Sequence, residues 1–304
     1  MVTDEQIGQF HRDGVLTLRG VFDREQVRAL QRAADEVTAE AVAGRGVGHG
    51  YREVDGRRQY YRTDGVLWDR HAAFRMATVN PLLLSAVGQC LGHPFMPIND
   101  SLVVKLPRSG VAIRWHQDPP YEGPEGLSGT FGIPNFDCDI YLDEATIENG
   151  CLFGLAGYHL AGHVEVERFA EEELYERPDA VPLPMQPGDV LLHAISAPHG
   201  SRANDSETLR RVFYVHFMAR ETLEKLHPEW IGNKPGFGKQ DVDRVRSMIQ
   251  ERARAGLAEP GTEKAELTPD GLVFSGDPST PPRHWETLIA GMTREQRQAA
   301  KTLV

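Results

Sequence analysis

The sequence predicts an α+β domain in which a β-rich core, a sandwich or barrel, lies between helical segments. Two observations carry this. Residues 94–221 alternate short runs of β-branched and aromatic residues with Gly and Pro punctuation, the mark of a sandwich or barrel. Helical periodicity is confined to the segments before and after, which fits α+β better than alternating βαβ units. With no internal repeat, low-complexity tract or linker, residues 1–304 read as a single domain: a helical and loop part (1–93), the core (about 94–221) and a helical extension (222–304).

Thr3 with Gln6, and Asp23 with Gln26, fit the capping box that satisfies backbone donors at a helix start. After Asp23, Val27, Leu30, Ala34, Val37 and Ala41 recur at helical spacing until Gly44 and Gly46. Segment 44–65, rich in Gly, Arg and Tyr, follows neither period and reads as a long loop. Pro81 opens a short apolar helix over 81–92. Strands are expected at 98–106, 111–117, 136–142, 151–155, 162–166, 181–185, 189–193 and 211–219. In the last, Phe213, Val215 and Phe217 take one face while Val212, Tyr214, His216 and Met218 take the other. A helix around Val242, Val245, Met248 and Ile249 and another near 284–302 complete the chain. The extension could cover the active-site mouth, pack outside the core or form a homodimer interface, since periodicity says only that it has a face to bury.

The chain has 33 Lys+Arg and 44 Asp+Glu, a net charge of −11. A chain this long buries roughly three quarters of its unfolded surface, so its core needs no covalent staple. Cys90, Cys138 and Cys151 are odd in number and scattered, which argues against a disulfide framework or zinc finger. Cys138 and Cys151, in strands, are expected to be buried and inert. The acidic balance argues against nucleic acid as a partner. The charged first residues and the lack of a long apolar run argue against a signal peptide or membrane span. The expectation is a soluble, cytoplasmic protein.

The sharpest local feature is WHQDPPY, where His116 and Asp118 are two apart on a strand and so leave one face. The segment from Pro187 supplies His199 as a third donor just after the strand begun at Gly188. Two histidines and one carboxylate on one face of a metal leave three positions open, the pattern of non-haem Fe(II) oxygenases. Eleven residues beyond His199 stands Arg210, and Ser201 follows the histidine by two. A guanidinium fork with a hydroxyl beside it suits the distal carboxylate of a small diacid. Alternatively, Arg210 or Arg211 caps the sheet or pairs with Asp205 or Glu207.

These residues resemble the phytanoyl-CoA dioxygenase-like branch of the Fe(II)/2-oxoglutarate-dependent oxygenases. The resemblance rests on His116 to Tyr121, on Asn149-Gly150-Cys151-Leu152, on PGD followed by HGS, Asn204, Ser206 and Arg210, and on an opening helix, strand and helix. It spans most of 5–220. It implies a double-stranded β-helix (jelly-roll, cupin-like) core with Fe(II) at its mouth, 2-oxoglutarate as cosubstrate and O2 as oxidant. It implies His116, Asp118 and His199 as metal ligands, and Arg210 and Ser201 on the cosubstrate carboxylate. Lys105 and Asn99 match positions near the cosubstrate in some relatives. The family's proline-glycine-serine-histidine element is here AGYH, with Tyr158 in place of the serine. Asp118 stands where related halogenases usually carry Gly or Ala, which disfavours halogenation.

The implied activity is hydroxylation of a small biosynthetic metabolite at an unactivated C–H bond, releasing succinate and CO2. The same cofactors also serve desaturation, epimerisation, cyclisation and alcohol oxidation, and a binding module without turnover is the alternative of another class. For the substrate pocket, Asp137 and Asp139 share one side of a core strand, and two carboxylates facing a closed interior are costly unless paired. They either bind a cationic or polyhydroxylated substrate, lie exposed, or pair with arginines of 52–62. Tyr121 follows the ligand pair, and the glycine-rich segment 122–135 is either a lid or an exposed loop. His193 and His216 read as core or hydrogen-bonding histidines, and His159 with His163 lacks the glutamate of a helical zinc site.

Overall fold

The computed structural model of the chain describes residues 2–92, 94–118, 135–160, 164–220, 223, 242–257 and 265–274. Its elements in chain order are α1 (Asp4–Asp13), β1 (Val15–Leu18), α2 (Arg24–Val42), β2 (His49–Val54), β3 (Arg57–Asp64), α3 (Leu67–Arg70), α4 (Ala72–Thr78), α5 (Pro81–Leu91), β4 (Phe95–Lys105), β5 (Ile113–His116), β6 (Asn135–Tyr141), β7 (Leu152–Leu155), α6 (Glu171–Tyr175), β8 (Ala180–Leu183), β9 (Val190–Ala194), β10 (His199–Ser201), β11 (Arg210–Ala219), α7 (Val242–Arg254), β12 (Ala265–Thr268) and β13 (Gly271–Phe274). Two antiparallel sheets form the core. The larger runs β1-β9-β6-β11-β4-β13-β12, with β3 also on β4 and β2 on β3; the smaller runs β5-β10-β7-β8.

Local chemistry starts the helices where the sequence places them. Thr3 and Asp23 are the N-caps of α1 and α2, and both capping boxes with Gln6 and Gln26 are complete. Pro81 occupies the first turn of α5, whose cap Asn80 accepts from the amides of Leu82 and Leu83.

The alternation of β11 divides the molecule. Phe213, Val215 and Phe217 join Phe136, Cys138 and Ile140 of β6 in a core beneath the helices, with Phe10, Leu30, Phe74 and Leu83. Each such side chain contributes about 1.5–3 kcal/mol when fully buried. The opposite face looks toward the smaller sheet. At one end of that inter-sheet space Tyr141, Leu191 and Val212 pack on Trp115, Phe153 and Leu155. At the other end, ladder pairing lines up His193, Asp137, His216 and Asn99 on four adjacent strands. A greasy end closes the sandwich and a polar end is left for chemistry.

Three expectations are corrected. Segment 44–65 is largely the β2–β3 hairpin, not a loop: Asp55 and Gly56 both have positive φ (49° and 71°), the two-residue turn whose twist suits a hairpin. Residues 164–166 form no strand; a 3-10 turn, Val166–Arg168, tucks Val164 and Val166 under the smaller sheet, and 162–163 lie outside the described residues. The extension is not purely helical: Pro269-Asp270-Gly271 turns the β12–β13 hairpin, which joins β4 through Leu272 and Phe95. Its helix α7 packs on α4, away from the inter-sheet space. The expected helix at 284–302, like Tyr121 and nearly all of 122–135, lies outside the described residues.

Arg211 ties helices to sheet. Its Nε donates to Asp143 at 2.8 Å, Nη2 to the same carboxylate at 3.0 Å, and Nη1 to Asp35 at 2.5 Å. Arg211 therefore has other partners than the Asp205 or Glu207 considered from sequence. Arg211→Met is expected to destabilise the protein by about 2–4 kcal/mol, because it strands the mostly buried Asp143 carboxylate. A lowered urea midpoint with unchanged m-value is the signature.

Candidate metal centre

The site is assembled by a three-residue strand. β10 inserts between β5 and β7, and the ladder sets His199 directly opposite His116. The two imidazole centroids are 4.3 Å apart. Gly200 makes this possible, since a Cβ there would lie 3.1 Å from both the backbone nitrogen and the ring of Trp115. Asp118 follows β5, held by its amide on the Ile195 carbonyl at 3.1 Å. Between the ligand candidates, Gln117 turns away: its Nε2 donates to the Ser196 carbonyl at 2.6 Å and its Oε1 accepts from the Val164 amide at 2.8 Å.

Three donor atoms converge. Asp118 Oδ1 is 3.5 Å from His116 Nε2, and Oδ2 is 3.7 Å from His199 Nε2. His116 Nδ1 pairs with the Arg114 carbonyl at 2.7 Å and His199 Nδ1 with that of Ala197 at 3.0 Å. A carbonyl only accepts, so each Nδ1 carries the proton and each Nε2 is left to ligate, the usual arrangement of metal-binding histidines. Burial, then His116, pushes the His199 imidazole down to about 3, keeping it neutral. For Asp118, burial opposes ionisation, but His199, His116 and His193 outweigh it and hold the carboxyl well below its usual range. Its Oδ2 is buried without a hydrogen bond. In spite of its burial, the His116 imidazole is raised by Asp118, and the two Nε2 atoms beside an unsatisfied carboxylate are donors suited to Fe(II).

A second set shares Asp118. His193, Asp118 and Asp137 also bring ligand atoms within 4.8 Å of one another. His193, however, is engaged from behind: its Nδ1 is 3.2 Å from Asp139, and its Nε2 is 3.8 Å from Asp118. Burial alone would lower the His193 imidazole, yet Asp139 and Asp118 raise it well above its usual value. His193 sits between two carboxylates, with Asp139 on its Nδ1 and Asp118 on its Nε2. Asp139 thus pairs behind the cavity with a histidine, while Asp137 lines it. Burial, then the Asp118 charge, pushes the Asp137 carboxyl up to about 8.

The cavity measures about 600 Å³. Arg210, 1% exposed, lines it with Ser201, and its Nε and Nη2 have no hydrogen-bond partner. A buried guanidinium with orphan donors is costly unless a ligand supplies the anion. The approach to it is built by Asn204, whose Nδ2 donates to the carbonyls of Lys105 and Thr208 while its Oδ1 accepts from Ser206. That turn aligns β10 with β11 and so Ser201 with Arg210. Asn99 also lines the cavity, its Oδ1 buried without a partner. Lys105 is placed differently: it pairs with Arg210 across the ladder, but its Nζ donates to the carbonyls of Ser201 and Arg202. His216 lines the cavity, whereas His159 is fully buried elsewhere beside the His11 carbonyl. Tyr158 bonds Asp179 at 2.9 Å and does not line the cavity. Cys138 and Cys151 are buried thiols.

Sequence reasoning left the Arg-rich segment 45–62, with Tyr51, Tyr60 and Tyr61, open as either a binder of an anionic substrate or a solvated, ion-paired loop, and missed the hairpin that makes Arg52, Tyr61 and Arg62 cavity residues. The signal was the Asp55-Gly56 dipeptide, which marks a hairpin able to lay these side chains against β4.

Residues 10–212 match the phytanoyl-CoA dioxygenase (PhyH) family. The chain belongs to that family. It is accordingly an Fe(II)- and 2-oxoglutarate-dependent dioxygenase, using O2 as oxidant. Among its relatives are a methylphosphonate hydroxylase of Gimesia maris, 28% identical over 79% of this chain and 90% of that one, and a 2-aminoethylphosphonate dioxygenase of the uncultured bacterium HF130_AEPn_1, 24% identical over 73% and 84%. EctD from S. alaskensis with bound Fe has the same fold, with a TM-score of 0.59 at 22% identity over 73% and 78% of the two chains. Among the described residues no helix is long and apolar enough to cross a membrane.

Gly150, at φ +78°, turns beside this site, and a Cβ there would meet the Arg202 carbonyl at 2.3 Å and Lys105 Nζ at 2.9 Å. Gly150→Ala is expected to cost about 2–4 kcal/mol. Gly157→Ala, at φ +85° but with its nearest contact 3.7 Å away, should cost only the roughly 1–2 kcal/mol of the left-handed backbone. Paired denaturant titrations read the difference.

Proposed function

We propose that this dioxygenase hydroxylates a small molecule at a C–H bond, with His116, Asp118 and His199 holding iron and Arg210 with Ser201 binding the far carboxylate of 2-oxoglutarate. The observation that carries the assignment is the pairing of two Nε2-exposed imidazoles and an unsatisfied carboxylate with a buried guanidinium whose Nε and Nη2 have no hydrogen-bond partner, in one cavity. The relatives' names, a hydroxylase and a dioxygenase of small phosphonates, support hydroxylation and a small substrate.

Iron with 2-oxoglutarate supplies the oxygen activation that breaks the C–H bond. The chain's contribution is orientation and exclusion of water. The Arg114 and Ala197 carbonyls fix both ligand rings, and Gln117 fixes the strand ends that carry them. Arg210 offers a charge-assisted fork to one end of the cosubstrate, which orients its other end toward the three ligands. His193, paired with Asp139, reaches the same Asp118 oxygen that faces His199, its ring 4.7 Å from the His199 imidazole. Asn99, Asp137 and His216, side by side in the ladder, offer polar contacts to the substrate.

Addition of Fe(II) and then 2-oxoglutarate to the metal-free protein without oxygen is expected to produce the visible charge-transfer band of a chelated cosubstrate. His116→Ala should abolish it. Arg210→Ala removes a charge-assisted pair and should weaken 2-oxoglutarate binding by about 10- to 150-fold, the equivalent of about 1.5–3 kcal/mol. Absence of the band in folded, iron-loaded protein would overturn the assignment.

A further inference from the structure

The wall of the cavity farthest along the ladder from β9 carries charge that neither iron nor 2-oxoglutarate uses. With Asp118 assigned to the metal and Arg210 to the cosubstrate, the remaining lining offers three guanidinia, Arg52, Arg62 and Arg114, against one carboxyl, Asp137, beside the histidines His193 and His216. In a chain of net charge −11 this is a local inversion of sign. Arg52 and Arg62 come from the two strands of the hairpin, and Arg62 sits beside Val103 of β4 by ladder pairing. Arg114 is exposed next to β5's ligand, His116.

Among the described residues only Arg62 of the three has an internal counter-charge, Asp64. Arg52 Nη1 donates to a neutral group, the Ala112 carbonyl, at 2.5 Å, and the ring of Tyr61 stacks 4.7 Å from its guanidinium carbon. Arg52 and Arg114 have no ion pair among the described residues. Arg62 Nη2 reaches Asp64 at 2.5 Å, a carboxylate shared with Ser101 Oγ, and Arg62 Nε is buried without a partner. The Ala112 carbonyl, Tyr61 and Asp64 hold the two hairpin guanidinia in place while leaving donors unused. Pre-positioned guanidinia with spare donors on one cavity wall suit a compact oxyanion, and a cavity with excess positive charge concentrates anions at its mouth.

We propose that the hairpin wall of Arg52 and Arg62, with Arg114 at the mouth, is a subsite for a compact anionic group, a phosphonate, phosphate or carboxylate, on the primary substrate. This deepens the hydroxylase reading and rests on it. The anion is distinct from the cosubstrate carboxylate, which Arg210 takes on β11. The anionic end anchors the substrate on the hairpin, and the carbon presented to the three ligands is set by its distance from that anchor.

The test uses the full chain without oxygen, saturated with Fe(II) and 2-oxoglutarate so that Arg210 is occupied. Methylphosphonate, acetate and the neutral dimethyl ester of methylphosphonate are titrated by calorimetry. At least one anion is expected to bind at least about tenfold more tightly than the ester, and Arg52→Gln and Arg62→Gln are each expected to weaken it by about tenfold or more. Arg62→Lys, which keeps the charge, should recover part of the loss. Arg114→Gln, an exposed change that leaves folding intact, should weaken binding by a smaller factor. Affinity for 2-oxoglutarate should change by less than about twofold in all four. Preference for methylphosphonate over acetate assigns a tetrahedral anion, and the converse a carboxylate. Anions that bind no better than the ester, or anion affinity that ignores Arg52 and Arg62, overturns the subsite. Such a failure with the charge-transfer band present leaves the hydroxylase reading standing; if the band is missing, the same titration on metal-free protein still decides the subsite.

Discussion

The placement of His199 opposite His116 in the β5–β10 ladder is the constraint on which the site depends. β10 is only three residues long, and it is held on both sides by strands of the smaller sheet. The register brings two rings to 4.3 Å, closer than flexible loops would keep them, and Gly200 lets Trp115 fill the space beneath. The turn through Asn204 and Ser206 then carries the chain into β11, so one short strand sets both the metal-side histidine and the approach to Arg210. A shift of register by one residue would turn every side chain to the other face and separate His199 from His116.

Electrostatics explains why such an arrangement is tolerable. The inner face of the larger sheet carries Asp137 and Asp139 on β6, His193 on β9 and His216 on β11, with Asp118 against them. His193 between Asp139 and Asp118 relieves part of the acidic excess, and Asp137 takes up a proton more readily than an ordinary carboxyl. The unsatisfied oxygen of Asp118 and the orphan donors of Arg210 are opposite in sign and each is costly when buried. In the proposed roles a cation at Asp118 and a dicarboxylate at Arg210 would relieve both costs at once. The apolar end of the sandwich, the helices on its outer face and the Arg211 tie supply the stability that carries this burden.

Much of the site was legible in the sequence because its signals are local. His116 and Asp118 were legible from their two-residue spacing, although the strand ends at His116 and Asp118 lies just beyond it on the Ile195 carbonyl, and Asp23 with Gln26 starts a helix through contacts within one turn. His199, Ser201 and Arg210 were legible through their order along the chain and their resemblance to a known family. What escaped needed tertiary information or a turn signal that was passed over. The hairpin of 49–64 looked aperiodic because a bulge near Gly50 and Tyr51 breaks its alternation, and only Asp55-Gly56 betrays it. HVEVER alternates like a strand, yet Val164 gives its amide to the side chain of Gln117 rather than to a ladder. Asp137 and Asp139 share a face, but only the structure separates the carboxylate on the cavity from the one behind His193.

The central claim is that iron takes His116, Asp118 and His199 rather than the overlapping donors Asp118, Asp137 and His193, and that Arg210 orients the cosubstrate. A crystal structure of the protein with Fe(II) and 2-oxoglutarate, grown without oxygen and measured at the iron absorption edge, tests it most directly. The account predicts one anomalous peak bounded by the Nε2 atoms of His116 and His199 and an Asp118 oxygen, with the far carboxylate of 2-oxoglutarate on the Arg210 fork. Iron bound through His193 and Asp137, or a cosubstrate lying away from Arg210, would contradict it.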